Sequence, residues 1–420
     1  MTSDDHTVPP ETAFVWWWLP GTRDPVVVGR LDQEGDSLVF AYGRRYLATE
    51  AATPLYLPEL PLVGGPQLPL VGTVAGCIRD AAPDGWGQRV IENRLLASPA
   101  GEGELGLLTY LLQSGSNRIG ALDFQLSATD YAPRDPGTGT GTGTGTVDEL
   151  MASADKVLAG IPLSPELDQA LLHGTSIGGA RPKAVLRDGN RDLIAKFSAQ
   201  ADTVPLVQFE YVGMELARRC GLTVAPVELV DVHGRQVLLV ERFDRPGDGT
   251  RRSMVSALTV LGLDEHGARY ASYADLADQI RARFTDPDAT LRELFGRLTL
   301  NVLIGNTDDH ARNHAAFWNG HDLSLTPAYD VCPWLRSGGE TTQAMTIDRA
   351  GSRNSRLAVC VEAANVYHLD AAGARAVIDE QIDTIETSWH DVCDAAGLTT
   401  VDRQRLRAGA VLHPSTMYGY

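Results

Sequence analysis

The chain predicts an α+β protein of two lobes, a β-rich lobe with an extra N-terminal subdomain and an all-helical C-terminal lobe. Three observations carry this. Up to Phe243 the apolar residues come in short runs of strand length broken by turn residues. From Leu258 onward they fall at helical spacing, and alanine-rich stretches continue to the end. Between 137 and 146 a Gly-Thr pair repeats five times, which offers nothing apolar to bury and resists ordering, so it reads as a flexible tether. The divisions that follow are an N-terminal subdomain at 1–131, a linker at 132–147, a β-rich lobe at 148–252 and a helical lobe at 253–420.

With 420 residues, more than one ordinary core is expected. An apolar share of 43% and a charged share of 21% are those of a soluble globular protein. The net charge, 36 − 54 = −18, disfavours direct binding of nucleic acid, which demands a basic face, and suits a basic protein partner. Cys77, Cys220, Cys332, Cys360 and Cys393 are scattered without a C-x-x-C pair, as in a reducing cytosol. The first ten residues hold no apolar signal core, and no apolar run reaches membrane length, so a cytoplasmic protein is expected.

Before the tether, Phe14–Leu19, Val26–Leu31 and Ser37–Tyr42 read as strands, and 54–69 as extended connection. Trp16, Trp17 and Trp18 read as core or interface packing rather than a stacking platform, because consecutive strand residues point to opposite faces. Helices are expected from Pro83 to about Leu96 and over Leu105–Gln113, then a strand over Ile119–Phe124. After it, Asp148–Leu158 and Pro165–Leu172 are helical. Gly174–Lys183 is a glycine-rich turn that runs into a strand at Ala184–Leu186, with a second strand at Leu193–Phe197 carrying Lys196. Val207–Cys220 is an amphipathic helix with Glu210 near its start. Val224–Val230 and Gln236–Phe243 pair as strands. Helices then follow at Tyr273–Phe284, Leu291–Leu303, Leu357–Val366, Ala371–Ala395 and Thr400–Ala410.

The chemistry concentrates after the second of these helices. Asp308 and Asn313 lie five residues apart, and Asp330 follows seventeen residues after Asn313. Protein kinases use an Asp beside the attacking hydroxyl, an Asn five residues on as a magnesium ligand, and a second Asp beyond a hairpin between metal and phosphates. Phosphoryl transfer gathers charge on oxygen, so hard oxygen ligands must hold magnesium and a carboxylate must flank the nucleophile. A polar loop with Asx turns gives the same spacing, so the agreement of other segments matters. A glycine turn followed by a strand Lys is how kinases cover and clamp ATP phosphates, though an ordinary loop shares that composition. Lys196 and Glu210 stand in the order of the kinase strand Lys and helix Glu; a helix N-terminal carboxylate favoured by the dipole is the other reading of Glu210. The strand ending at Phe243 is where an adenine edge would dock.

Four segments carry a resemblance: Ser176–Lys183, Val240–Arg245, Gly305–Asn313 and Leu325–Asp330. In this order and spacing they resemble the HipA family, serine/threonine kinases that act as toxins in bacterial toxin–antitoxin systems. Val28–Leu31, Pro83–Gly87 and Arg118–Leu122 look like the family's N-terminal subdomain. The resemblance implies ATP and Mg2+ as cofactors, with Asp308 as catalytic base and Asn313 and Asp330 as metal ligands. It implies ATP contacts from Ser176, Ile177, Gly178, Gly179, Ala180, Lys183, Lys196, Glu241, Arg242, Phe243 and His310, with the backbone of the Glu241–Phe243 segment holding adenine. Ser176 matches the family's autophosphorylated serine, with Thr175 a second available hydroxyl. Asp309 replaces a small residue, and the spacing to Asn313 favours Asp308 as the base. Residues 252–257 depart from the family's pattern, which bears on substrate preference. The implied partners are a protein substrate such as an aminoacyl-tRNA synthetase, whose modification arrests growth, and a HipB-like helix-turn-helix antitoxin, through which DNA is met only indirectly.

Two rival classes are an ATP-binding pseudokinase that scaffolds an antitoxin, and a metal hydrolase built on His310 and His314 with the neighbouring aspartates.

Overall fold

The aromatic run near the N-terminus becomes a central strand. The computed structural model describes residues 10–96, 105–134, 147–161, 163, 171, 179, 181–198 and 202–420. In its N-terminal part, β1 (Thr12–Trp17), β2 (Val26–Glu34), β3 (Ser37–Tyr42), β4 (Pro66–Gln67) and β5 (Leu122–Gln125) form an antiparallel sheet ordered β4-β3-β2-β1-β5. Two single-turn helices, α1 (Arg44–Leu47) and α2 (Gly76–Arg79), and two longer ones, α3 (Gly85–Leu96) and α4 (Leu107–Gln113), accompany it. All three tryptophans are buried and each indole N–H has an acceptor: Trp16 uses the Ser127 carbonyl, Trp17 the Ser253 hydroxyl and Trp18 the Arg23 carbonyl. The expected strand at Ile119 begins only at Leu122. Gly120 takes a left-handed φ of 75° instead, and its N–H and C=O are committed to Asp244 and Arg245.

The second sheet contains β6 (Lys183–Asp188), β7 (Arg191–Phe197), β8 (Val227–Val232) and β9 (Arg235–Glu241), ordered β6-β7-β9-β8 and antiparallel throughout. α5 (Val147–Leu158) and α6 (Leu206–Arg219) belong to this lobe. Its core also takes α3 from before the tether: Trp86 and Val90 pack with Met151, Ala154, Ala184, Ala195, Phe197 and Val237. The strand expected from Val224 starts three residues later. Thr223–Ala225 pairs with Ala328 instead, tying the sheet to the segment that leads into Asp330.

The C-terminal lobe comprises α7 (Ala257–Val260), α8 (Tyr273–Arg283), α9 (Pro287–Ile304), α10 (Leu357–Glu362), α11 (Ala371–Ala395) and α12 (Thr400–Gly409). α9 is a turn longer than its apolar stripe predicts, because Asp286 caps Ala289 N and Pro287 occupies the first turn, where a missing N–H costs nothing. The lobe is not purely helical: β10 (Met254–Ser256), β11 (Ala315–Trp318) and β12 (Leu323–Leu325) form a small antiparallel sheet beside the acidic loop. Strands of three or four residues are too short to show an alternating pattern in the sequence.

A buried charge network joins the N-terminal subdomain to the end of β9. Asp244 binds Arg242 at 2.7 Å and Arg245 at 2.8 Å, and accepts the Gly120 N–H at 2.7 Å. Arg242 also reaches Asn117 Oδ1 at 2.9 Å and the Arg118 carbonyl, which Arg245 shares. Apart from Leu171, which is helical and buried, the predicted helix at Pro165–Leu172 lies outside the described residues, as do the Gly-Thr tether and Ser176, Ile177, Gly178 and Ala180.

Candidate active site

Lys196 stands on β7 directly opposite Lys183 on β6. Its ammonium binds Glu210 Oε1 on α6 at 2.5 Å and Asp330 Oδ1 at 2.7 Å, so one cation joins a strand, a helix and the segment after β12. Burial alone would lower the Lys196 pKa; the two carboxylates outweigh it and hold the ammonium above the ordinary lysine value. The Lys196 charge in turn depresses the Asp330 carboxyl, while burial raises that of Glu210. Asp330 takes a left-handed φ of 59°, a conformation that Asp tolerates better than bulky residues and that turns its side chain out of the chain direction.

α6 reaches Asp330 closely because of Gly213, one turn after Glu210. A Cβ there would lie 2.1 Å from the Val331 carbonyl oxygen and 2.9 Å from Pro333. Gly213→Ala is therefore expected to cost about 1–3 kcal/mol through overpacking and to weaken ATP binding as α6 withdraws Glu210 from Lys196. Melting temperature and nucleotide titration check the two effects separately.

The loop at 305–314 follows from how α9 ends. Gly305 caps the helix with φ 72°, and the Asn306 amide bonds back to Asn301. Asp308 and His310 are exposed while Asp309 between them is buried. Among the described residues the Asp308 carboxylate has no hydrogen-bond partner, whereas Asp309 is held by the Tyr273 hydroxyl and His314 Nε2. Of the two adjacent acids, Asp308 is thus the one open to an incoming group. Partial desolvation raises its pKa above the usual carboxylate value; His310 opposes the rise and the Asp330 charge adds to it. Asn313 donates its amide N–H to the Asp308 carbonyl at 3.1 Å, which leaves its side-chain oxygen as the atom that could hold a cation.

Of the predicted glycine-rich loop, Gly179 is described. Its φ is 108°, a conformation that asks for glycine, and an added Cβ would lie 2.3 Å from the movable end of Lys183. Burial and the Lys196 charge lower the Lys183 pKa to about 8. Two residues of the N-terminal subdomain hold this loop: Asp84 accepts the Gly179 N–H at 2.6 Å, and Trp86 N–H donates to the Gly179 carbonyl. Sequence reasoning missed both contacts, although the Pro83–Gly87 motif containing them was noticed. Glu241 and Phe243 flank the sheet's exit, with the Phe243 ring 5.7 Å from that of Tyr329. The Arg242 side chain is buried against Asn117 and Asp244, so any part it has in the cleft is through its backbone.

A hydrolytic metal centre finds no support in this geometry. His314 is committed to Asp309, His321 pairs with Asp322 on the surface, and among the described residues no three His, Cys, Asp or Glu side chains converge.

Residues 175–389 match the HipA-like C-terminal domain family, and residues 22–125 the HipA N-terminal domain family. The chain is 29% identical to Y4mE of Sinorhizobium fredii over 344 residues, 76% of each chain. It is 29% identical over 170 residues to the serine/threonine-protein kinase toxin HipA of Shewanella oneidensis, spanning 36% of this chain and 39% of that one. A solved complex of the Shewanella oneidensis toxin–antitoxin system, HipA and HipB with operator DNA, aligns with a TM-score of 0.66 at 20% identity, over 91% of this chain and 94% of that chain. That likeness speaks for the fold.

Proposed function

The chain belongs to the HipA family, and from that premise we propose that it is a toxin-type serine/threonine protein kinase that uses ATP and magnesium. One observation carries the reading: Lys196 couples Glu210 to Asp330, while Asp308 stands unpaired in the same cleft. In this reading Lys196 and Lys183 face the phosphates, and the backbone of Glu241–Phe243 meets the adenine. Asp308 takes the proton of a serine or threonine hydroxyl. The hydroxyl oxygen forms its bond to the γ-phosphorus as the bond to the bridging oxygen of ADP breaks. A carboxylate whose pKa is raised is the better base for this step. The Asn313 oxygen and the Asp330 carboxylate are hard donors that fit magnesium, which when bound neutralises charge on the phosphate oxygens.

Family resemblance supports a translation factor such as an aminoacyl-tRNA synthetase as substrate, growth arrest as the outcome, a HipB-like antitoxin as partner and the cytoplasm as the setting. Among the described residues no helix is long and apolar enough to cross a membrane. Incubation of the purified protein with radiolabelled ATP, magnesium and a bacterial lysate tests the reading. Labelled protein that disappears with Asp308→Asn supports it; ATP binding without transfer supports a pseudokinase instead.

Ser176 is proposed as an internal off-switch, because a phosphate there adds nearly two negative charges beside the ATP phosphates. Intact-mass measurement after incubation with ATP and magnesium should show one added phosphate on the wild type and none on Ser176→Ala. A phosphate retained by Ser176→Ala would point to Thr175.

A further inference from the structure

We infer that Asp309 is a positioning residue, gripped by Tyr273 and His314, and that this buried anchor sets the aim of Asp308. What Asp308 is aimed at follows from the kinase reading; the anchorage follows from geometry alone. Asp309 is 3% exposed, Tyr273 0% and His314 2%. The Tyr273 hydroxyl and His314 Nε2 both meet Asp309 Oδ2, the latter at 2.9 Å, and the two rings pack edge to face at 5.5 Å. A carboxylate taken from water is tolerated only when partnered, so the two grips hold Asp309 inward strongly.

The consequence for Asp308 is mechanical. Asp308, Asp309 and His310 alternate exposed, buried, exposed, so fixing the middle side chain inward keeps its two neighbours facing out. The rest of the loop has further holds. Asn306 is bonded to Asn301, the Asn313 amide and the His310 N–H to the Asp308 carbonyl, and the Tyr329 hydroxyl to the Arg312 carbonyl. Those contacts fix the Asp308 backbone, and Asp309 adds the hold on the next side chain.

His314 meets Asp309 through Nε2, and its Nδ1 is buried with no hydrogen-bond partner among the described residues. The neighbouring Arg297 is held by Glu293 and the Thr326 carbonyl and makes no hydrogen bond to Asp309; its Nη1 is buried with no partner among the described residues. Tyr273 heads α8, capped by Ser272, so the anchor ties the loop to a helix outside the nucleotide lobe.

Full-length wild type, Asp309→Ala, Asp309→Asn and Tyr273→Phe decide the matter. A loosened anchor misplaces Asp308 without touching Lys196, Glu210 or Asp330. kcat should therefore fall about 100-fold in Asp309→Ala and about tenfold in Tyr273→Phe, which loses one hydroxyl and keeps its packing. KM for ATP should stay within about twofold in both. Asp309→Asn, which keeps an oxygen acceptor for Tyr273, should retain more activity than Asp309→Ala. Hydrogen–deuterium exchange of the 305–310 segment should quicken in Asp309→Ala and Tyr273→Phe. Unchanged kcat in Tyr273→Phe, or a KM for ATP that rises as steeply as kcat falls, would overturn the inference. Should Asp309→Ala not fold, Tyr273→Phe decides. If the wild type transfers no phosphate, the kinase reading falls by itself, and unchanged exchange in Tyr273→Phe then overturns the anchor.

Discussion

Asp308→Asn is expected to lower phosphoryl transfer by about 10³-fold while leaving the melting temperature close to that of the wild type. The carboxylate is exposed and unpaired among the described residues, so its loss breaks no packing. An amide cannot accept the hydroxyl proton, and the adjacent carboxylate cannot take over, because Asp309 is buried and committed to Tyr273 and His314. Lys196 and Asp330 are untouched, so ATP should bind as before. The wild-type pH profile carries the same signature. Only the carboxylate form accepts a proton, so activity should fall as the pH drops through the Asp308 pKa. Desolvation and Asp330 place that limb above the value of a free aspartate. Full transfer by Asp308→Asn would remove this residue from the mechanism.

Asp244→Ala is expected to destabilise the folded chain by about 3–5 kcal/mol, the cost of leaving buried partners of a charge unpaired. Arg242 and Arg245 both rely on Asp244, as does the Gly120 N–H. Although burial opposes ionisation, Arg242 and Arg245 hold the Asp244 pKa below the ordinary aspartate value. A carboxyl depressed on folding stabilises above its unfolded pKa, about 4, and loses that contribution as the pH falls toward its folded value. The stability gap between wild type and Asp244→Ala, read from urea unfolding, should therefore narrow below about pH 4. A gap that is small at neutral pH would show that the network adds little.

Much of the candidate site was legible because its signals are local. Asp308 and Asn313 sit in one loop, Lys196 and Glu210 on consecutive elements, and Gly305 at a helix end, so spacing together with the agreement of several short segments makes them candidates. The long-range contacts were not legible. That Asp309 is buried depends on Tyr273, 36 residues away. That Arg242 turns toward Asn117, and that Asp84 holds Gly179, depends on segments about a hundred residues apart. Neither periodicity nor composition encodes such pairings. The Ser253 hydroxyl under Trp17 is of the same kind.

The burial of Trp86 against Val237 has a consequence for how the protein is born. The two residues are 151 positions apart, and at ribosomal speed that interval lasts roughly 8–30 s. Over that interval the partners of the apolar face of α3 emerge one after another, from Met151 to Val237, and until the last the face is incompletely covered. This core cannot close early, since part of it is made well before the rest. Translation that stalls before β9 leaves no half-built enzyme able to act.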